Sequence, residues 1–287
     1  KRRGSQHQTD NIQRWFIKMN FAVIGSPIEH TLSPAIHYAN FNSLNLDDTY
    51  RALHIKPEEL NHIRDIIKQY DLNGFNVTIP HKEKIMEHLD FIDKRALEVN
   101  AVNTVLIKDE KIYGYNTDVT GYKQAYTDRF GVAKRNVLIL GAGGASKAVY
   151  RAHSELGDDI TIYARREASF ETFKEQNFEK LSSLENLKSF DVIINTTPIG
   201  LKNEDLYQVM SLSDENITED TIGIDLIYNP EKTPFLHGFE DVNSMNGLSM
   251  LVNQAIHAFE IWYDNQYEGD YNAVYAALNK KFGGGAK

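Results

Sequence analysis

The feature that most constrains this chain is a buried strand that runs directly into a glycine-rich turn. Residues 136–140 are apolar on both faces, as in a central strand of a parallel sheet. Residues 141–146 (Gly-Ala-Gly-Gly-Ala-Ser) follow at once, and a helical pattern begins near Lys147. Glycines at such a turn let backbone amides approach a pyrophosphate at the positive end of the helix. We therefore predict a dinucleotide-binding turn. A plain turn is the alternative, because Ser146 stands where the simplest fingerprint has its last glycine.

The tip of the next strand indicates which dinucleotide is bound. About twenty residues after the turn, an NAD-binding unit has an acidic residue that bonds the ribose. This chain has Ala164, Arg165 and Arg166 there and no carboxylate. Two guanidinium groups suit the 2′-phosphate of NADP, because their planar forks match phosphate oxygens. The pattern favours NADP(H), and a solvated basic pair ahead of a helix is the alternative.

Strand-like and helix-like segments alternate along the rest of the chain. The predicted strands are 21–25, 49–55, 74–79, 103–107, 136–140, 159–164, 190–195 and 221–226. The predicted helices include 57–70, 118–130, 144–156, 167–177 and 248–265. This alternation predicts an α/β protein with mostly parallel sheets. In such a sheet the polar turn at 195–200, which follows an apolar strand, would line the cofactor crevice.

Composition argues against several classes of function. The 287 residues include 31 Lys or Arg and 40 Asp or Glu, and the net charge of −9 argues against non-specific nucleic-acid binding. No apolar run reaches the length of a membrane span. The lack of cysteine excludes thiolate catalysis and cysteine-based zinc sites, and the ten histidines show no ligand spacing, so no metal is expected. We expect a cytoplasmic protein without nucleic-acid or membrane partners.

Two hydroxyl residues follow the first predicted strand. Thr31 and Ser33 stand two apart, so in an extended segment their hydroxyls point the same way. Ser33 also suits a helix N-cap, with Pro34 at the first helical position. The two roles are compatible.

Two further polar segments follow strands in the first part of the chain. Asn76 and Thr78 share one face of a predicted strand, and Lys82 lies just beyond its end. A lone lysine is usually a solvated surface charge. Residues 100–104 are also polar, and Asp118 either has a functional role or caps the helix that follows it.

Taken in order, these segments resemble the successive motifs of the shikimate dehydrogenase family. The matching stretches are 25–38, 74–83, 100–104, 114–118, 141–146, 195–200, 225–230 and 247–262. The resemblance covers nearly the whole chain from Met19 to about Phe282. It implies an N-terminal α/β substrate domain, a Rossmann-like NADP-binding domain, and C-terminal helices that return to the substrate domain.

The resemblance also sets expected domain limits. The substrate domain is expected at 19–118 and 248–282, and the NADP-binding domain at 119–247. Residues 1–18 and 283–287 are expected to be non-native or flexible extensions, because Met19 directly precedes the first strand and the C-terminal tail is glycine-rich.

Matching positions carry the roles that the family implies. Lys82 and Asp118 are expected to form the catalytic acid/base pair. The expected ligands of shikimate are Thr31 and Ser33 on the carboxylate, with Asn76, Thr78, Asn103, Tyr228 and Gln254 elsewhere. The expected ligands of NADP are Gly141, Ala142, Gly143, Gly144, Ala145, Ser146, Ala164, Arg165, Arg166, Asn195, Thr196, Thr197, Pro198, Ile227, Gly247 and Met250. Ala164 replaces a common asparagine of the family.

The implied reaction is the reversible NADPH-dependent reduction of 3-dehydroshikimate to shikimate, by a monomer or homodimer. An ammonium such as Lys82 can stabilise and protonate the oxygen that gains negative charge, and Asp118 can orient that ammonium. One alternative is a quinate/shikimate dehydrogenase relative that accepts NAD. The other is a non-catalytic NADP-binding sensor module, which would have no need of Lys82 and Asp118.

Overall fold

The computed structural model describes residues 18–29, 31–165, 179–181, 187–211 and 217–283. Within them the chain forms two compact units. The first unit contains the described residues up to Asp93, the segment Val102–Tyr115, and the described residues from Ala258 onward. The second contains Lys94–Ala101 and the described part of Asn116–His257. These units are defined by contacts within the chain. The domain limits given above follow the family resemblance and stay a prediction.

Strands and helices alternate in the order of the chain. The strands are β1 (Asn20–Gly25), β2 (Thr49–His54), β3 (Gly74–Val77), β4 (Phe91–Ile92), β5 (Thr104–Lys108), β6 (Lys111–Tyr115), β7 (Asn136–Leu140), β8 (Asp159–Tyr163), β9 (Glu179–Leu181), β10 (Val192–Asn195), β11 (Ile222–Asp225) and β12 (Ser244–Asn246). The α-helices of the described residues are α1 (Ser33–Ser43), α2 (Ile63–Gln69), α3 (Lys94–Val99), α4 (Thr117–Phe130), α5 (Gly144–Leu156), α6 (Leu206–Met210), α7 (Leu248–Trp262) and α8 (Tyr271–Gly283). Short 3-10 helices lie at Pro57–His62, Lys84–His88, Leu187–Ser189, Leu236–Gly238 and Asp241–Asn243. Among these described helices, none is long and apolar enough to cross a bilayer.

The sheet of the first unit has the strand order β2-β1-β3-β5-β6-β4. Strand β1 pairs in parallel with β2 and β3, whereas β5 runs antiparallel to β3 and β6. Because β5 runs against β3, Thr104 at the start of β5 lies opposite Asn76 near the end of β3. The segments after β3 and before β5 therefore meet at one edge of this sheet.

An aromatic cluster forms the core of the first unit. Phe21 of β1 stacks on Trp262 at the end of α7, with ring centroids 4.6 Å apart. The rings of Phe41 and Phe259 lie 6.1 Å apart, and Trp262 Nε1 donates to the Val105 carbonyl over 2.9 Å. Aromatic pairs of this kind contribute about 0.5–1.5 kcal/mol beyond the burial of their area. They anchor the C-terminal end of α7 on the first sheet.

The sheet of the second unit is entirely parallel among its described strands, in the order β12-β11-β10-β7-β8-β9. When the order is read from β9 and β7 is counted as strand 1, this is the 3-2-1-4-5-6 order of dinucleotide-binding folds. Val137 and Ile139 of β7 pack into one apolar cluster with residues of α4 and α5. Leu138 and Leu140 pack into another on the opposite face. Burial on both faces explains the uninterrupted apolar run of β7.

Each of the eight predicted strands is present within two residues of its predicted limits. The predicted helix at 57–70 divides into a 3-10 helix, Pro57–His62, and α2. The alternative of Ser33 as an N-cap is wrong, because Leu32 is the N-cap residue and Ser33 is the first residue of α1. The predicted helix at 167–177 lies outside the described residues.

Within the second unit, α4 and α7 cross closely at Gly121 and Gln254. A Cβ atom at position 121 would lie 2.5 Å from the amide nitrogen of Gln254 and 2.8 Å from its Cα. Asn253 Nδ2 donates to the Gly121 carbonyl over 3.3 Å. Asp118 lies on α4 less than one turn before Gly121, so this crossing sets the spacing of two helices that carry predicted site residues.

We predict that Gly121→Ala lowers the free energy of unfolding by about 1–3 kcal/mol, because the added methyl overlaps the backbone of α7. Urea denaturation of the nucleotide-free protein measures this. Gly143→Ala is the matched control, since a Cβ there meets nothing within 4 Å, and its effect should stay below about 1 kcal/mol. Equal losses in the two variants would contradict the close crossing.

Candidate active site

Loops that follow the parallel strands of the second unit are tied together at one edge of its sheet. Four backbone hydrogen bonds connect them: Gly141 N to Tyr163 O (2.8 Å), Thr196 N to Leu140 O (3.0 Å), Leu226 N to Asn195 O (3.0 Å) and Gly247 N to Ile227 O (3.1 Å). Parallel strands end at one edge, where open α/β sheets bind ligands. The loops joined by these hydrogen bonds contain most of the predicted cofactor residues.

The glycine-rich turn leaves room for an anion at the start of α5. Gly141 has a φ of +108°, a conformation that favours glycine. Gly143 is the N-cap residue, and a Cβ built on it meets nothing within 4 Å. Ser146 is buried, and its hydroxyl donates to the Gly143 carbonyl over 2.5 Å. The amides at this helix start carry partial positive charge, and the exposed glycine leaves space above them. The turn therefore fits a pyrophosphate.

The tip of β8 presents one described arginine. Ala164 is buried and Arg165 is exposed. An exposed guanidinium at this position fits a 2′-phosphate, and the described tip carries no carboxylate that would repel one. Arg166, the second predicted arginine, lies outside the described residues.

A fully buried carboxylate, Asp225, holds the loops after β10 and β11. Its Oδ1 accepts from Asn195 Nδ2 at 3.1 Å and from the Ile227 amide at 3.0 Å. Its Oδ2 accepts from Thr233 Oγ1 at 2.6 Å. Asn195 Oδ1 in turn accepts from the amide and hydroxyl of Thr197, at 2.9 and 2.7 Å. These five residues form the Asp225 network, which joins the polar turn after β10 to the loop that continues into Tyr228.

Burial changes the acidity of two groups in these loops. It raises the pKa of Asp225 to about 6, against the opposing effect of the hydrogen bonds from Thr233, Ile227 and Asn195. Burial also raises the pKa of the Tyr228 hydroxyl. Tyr228 is therefore a neutral hydrogen-bonding group near pH 7.

Asn116 is the N-cap of α4. Its Oδ1 accepts from the Val119 amide at 3.2 Å. The alternative of Asp118 as the helix cap is therefore wrong, and Asp118 lies half-buried in the first turn of α4. Gln254 is half-buried on α7, and Met250 in the first turn of α7 packs against the apolar cluster under β7.

In the first unit, the two residues predicted to bind the substrate carboxylate are hydrogen-bonded to each other. Thr31 Oγ1 donates to Ser33 Oγ over 3.1 Å, and the Ser33 amide donates to Thr31 Oγ1 over 3.3 Å. Both residues are half-buried.

Asn76 uses all four of its side-chain hydrogen bonds within the protein. Its Oδ1 accepts from the Tyr50 hydroxyl at 2.7 Å and from His37 Nε2 at 3.2 Å. Its Nδ2 donates to the Asn103 carbonyl and to Thr104 Oγ1, each at 3.3 Å. An amide side chain has two acceptor and two donor positions, so the set is complete. We call these five residues the Asn76 network.

The groups around Asn76 are uncharged. Burial lowers the pKa of His37 to about 3, with its hydrogen bond to Asn76 opposing that shift, so the imidazole is neutral. Burial raises the pKa of Tyr50 well above its ordinary value, which keeps the phenol protonated.

The loop that carries Lys82 is held at the same edge as Asn103. The Val102 amide donates to the Lys82 carbonyl over 2.8 Å, and the Val77 amide donates to the Asn103 carbonyl over 2.8 Å. Thr78 follows β3 directly and is half-buried. Asn76, Thr78 and Lys82 thus lie at or after the end of β3, and Asn103 lies directly before β5. Thr31 and Ser33 follow β1, which pairs in parallel with β3.

Comparison with known proteins identifies the family. The profile of the shikimate dehydrogenase substrate-binding domain matches residues 23–105. A shikimate dehydrogenase (NADP(+)) of Staphylococcus aureus is 44% identical over 277 residues, which are 93% of this chain and 100% of that protein. The chain belongs to the shikimate dehydrogenase family.

Solved structures of family members share this architecture. Shikimate dehydrogenase of Aquifex aeolicus is 34% identical, with a TM-score of 0.82 over 91% of this chain and 97% of that one. Shikimate 5-dehydrogenase of Thermus thermophilus, in complex with NADP(H) and shikimate, is 31% identical, with a TM-score of 0.79 over 91% of this chain and 99% of that one. The predicted family and the predicted two-part α/β fold class are confirmed.

Sequence patterns did not point to three residues that organise the site of this family member. Tyr50 and His37 complete the bonds of Asn76, and Asp225 anchors two loops. Tyr50 is one aromatic residue in an ordinary strand, and His37 lies in a helix without a clear apolar stripe. Asp225 had a usable signal, because an acidic residue ends the otherwise uncharged run Ile222–Asp225.

The raised pKa of Asp225 predicts a pH dependence of stability. The folded protein holds this proton more tightly than the unfolded chain, so the contribution is present below pH 3.8 and is lost as the pH rises through about 6. Asp225→Asn removes the titration, and its amide can donate to Thr233 in place of accepting. Relative to this variant, the wild-type free energy of unfolding should fall by roughly 2–3 kcal/mol between pH 4 and pH 7. Urea titrations of both proteins across this range test it. A difference independent of pH would contradict it.

Proposed function

We propose that this chain catalyses the reversible reduction of 3-dehydroshikimate to shikimate with NADPH, and that Lys82 and Asp118 are its acid/base pair. Membership of the family makes the chain an NADP-dependent oxidoreductase. The observation that carries the proposal is the set of hydroxyl, amide and ammonium groups around the end of β3, inside the segment that matches the substrate-binding domain.

The nucleotide side of the proposal rests on residues of the second unit. The amides of the glycine-rich turn would hold the pyrophosphate of NADP, and Arg165 would hold its 2′-phosphate. The turn at Asn195 and the loop with Ile227 and Gly247 would line the nicotinamide end. When bound, the nicotinamide supplies the hydride.

On the substrate side, the role assigned to each residue follows from the charge of its side chain. Thr31 and Ser33 would donate hydrogen bonds to the carboxylate of the substrate. Lys82 would stabilise the negative charge that grows on the carbonyl oxygen and deliver a proton to that oxygen. Asp118 would orient the ammonium and accept a hydrogen bond from the neighbouring hydroxyl. In the oxidation direction the proton returns to Lys82.

The remaining predicted residues complete this assignment. Asn103, Thr78 and Gln254 would contact ring hydroxyls, and Tyr228 would reach the substrate from the nucleotide side. In functional terms, 19–118 and 248–282 would form the substrate domain, and 119–247 the NADP-binding domain. Shikimate-dependent reduction of NADP⁺ by the purified protein tests the function directly. Parallel assays with quinate and with NAD⁺ distinguish the broader quinate/shikimate alternative, and no turnover with any pair would contradict the proposal.

Lys82→Ala should reduce kcat by about 10²–10⁴-fold, the usual contribution of a positioned acid–base group. Steady-state kinetics should show the KM for NADPH within twofold of wild type. Lys84→Ala is the matched control, because it removes an exposed ammonium two residues away and should leave kcat unchanged. If Lys82→Ala keeps kcat within about threefold of wild type, the assignment of Lys82 is wrong.

Gly143→Ala should raise the KM for NADPH about tenfold or more, because its methyl would occupy the space above the helix amides. The KM for shikimate should stay within twofold of wild type. Nucleotide titration by fluorescence provides a second measure that does not depend on turnover. Unchanged affinity for NADPH would show that the pyrophosphate lies elsewhere.

A further inference from the structure

The last residue of β1 is a buried glycine that lies beside Thr78, one of the proposed substrate ligands. The parallel register pairs Ile24 with Val77, so Gly25 and Thr78 are the next neighbours along these two segments. A Cβ atom built on Gly25 would lie 2.5 Å from the γ-methyl carbon of Thr78, closer than real carbon atoms approach. The Thr78 methyl therefore occupies the space into which any other residue at position 25 would place its side chain.

Hydrogen bonds hold the backbone on both sides of this contact. The Gly25 carbonyl accepts from the Ile55 amide over 3.1 Å. The Thr78 amide donates to the Ile24 carbonyl over 3.0 Å, and the Thr78 carbonyl accepts from the His81 amide over 2.9 Å. Crowding at position 25 is therefore relieved most easily by rotation of the Thr78 side chain about its Cα–Cβ bond.

The position of the Thr78 methyl determines the position of the Thr78 hydroxyl. Both groups are attached to the same chiral carbon, and the side chain has only three staggered positions. With the methyl packed against Gly25, the hydroxyl has one orientation. If the methyl is driven out of this space, the hydroxyl turns with it by about 120°.

We propose that Gly25 is a positioning residue for Thr78: by leaving room for the methyl, it holds the Thr78 hydroxyl in the orientation that binds a ring hydroxyl of the substrate. This inference rests on the proposed function, in which Thr78 makes that contact. A side chain that is held in place before binding loses less rotational freedom when the ligand arrives. Asn76 uses all four of its side-chain hydrogen bonds within the protein, so it cannot replace a Thr78 hydroxyl that has turned away.

The test depends on the identity of the crowded atom, a methyl group that serine lacks. Gly25→Ala should raise the KM for shikimate about 3–10-fold, as expected for the loss of one neutral hydrogen bond. The values of kcat and of the KM for NADP⁺ should stay within twofold of wild type. In a Thr78→Ser background, Gly25→Ala should change the KM for shikimate by less than twofold, because the methyl is gone and the hydroxyl is kept. The next atoms, Ile28 Cδ1 and the Ile79 carbonyl oxygen, lie at 3.0 and 3.1 Å and need to shift only slightly.

Gly74→Ala is the matched control for crowding alone. Gly74 begins β3, at the opposite end from Thr78, and a Cβ there would lie 2.5 Å from the Trp262 indole. This variant should be less stable, but its KM for shikimate should stay within twofold of wild type. An equal rise of this KM in the control, or no rescue by Thr78→Ser, would mean that Gly25→Ala acts through general distortion, and would overturn the proposal. An unchanged KM in Gly25→Ala would overturn it as well.

A measurement on the wild-type protein covers the case in which Gly25→Ala does not fold. Three-bond NMR couplings from the Thr78 γ-methyl carbon to its backbone nitrogen and carbonyl carbon report the side-chain rotamer. In the ligand-free protein they should have the limiting values of one rotamer, and saturating shikimate should leave them unchanged. Averaged couplings, or a new rotamer on binding, would overturn the proposal. If the wild-type protein neither binds nor oxidises shikimate, the proposed function has failed, whereas normal turnover with an averaged Thr78 rotamer refutes only the role of Gly25.

Discussion

A polar group removed from water destabilises a fold unless it is hydrogen-bonded, and this requirement shapes both predicted ligand-binding edges. In the second unit the group is Asp225, whose carboxylate is fully buried at the end of a central strand. Its donors come from the turn after β10, from the loop after β11 and from Thr233 further along the chain. Each donor can satisfy Asp225 only when its own segment is in place. The three segments therefore fix one another's positions, and they fix the predicted cofactor residues that they contain.

The first unit meets the same requirement with neutral groups. Asn76 takes the central position, and its four bonds tie α1, β2 and the start of β5 to the end of β3. The low pKa of His37 and the raised pKa of Tyr50 keep their side chains uncharged at neutral pH. A buried carboxylate in this position would repel an anionic substrate at close range in a low dielectric. The neutral Asn76 network avoids that repulsion at the end of β3.

The parts of this structure that were predictable are those whose cause is local in the sequence. The apolar run of β7 and the glycines after it specify a strand, a turn and a helix within about twenty residues, and the structure contains all three. The connections inside each site were not predictable, because their partners are distant along the chain. Tyr50 and Asn76 are separated by 26 residues, and Asn195 and Asp225 by 30. Local competition explains the error at the start of α4, since Asn116 and Asp118 both suit an N-cap and only Asn116 takes that position.

The two edges also share a way of receiving anions that limits the cost of folding. The glycine-rich turn offers backbone amides at the start of α5, and Thr31 and Ser33 offer hydroxyls at the start of α1. Both devices are neutral dipoles, so they have no charge of their own that must be desolvated in the ligand-free protein. The predicted cations, Lys82 and Arg165, lie in loops and keep contact with solvent. At these two predicted ligands the positive charge is therefore hydrated. A net charge of −9 is compatible with the two predicted anion sites, because recognition of an anion depends on oriented local dipoles and not on the charge of the whole molecule.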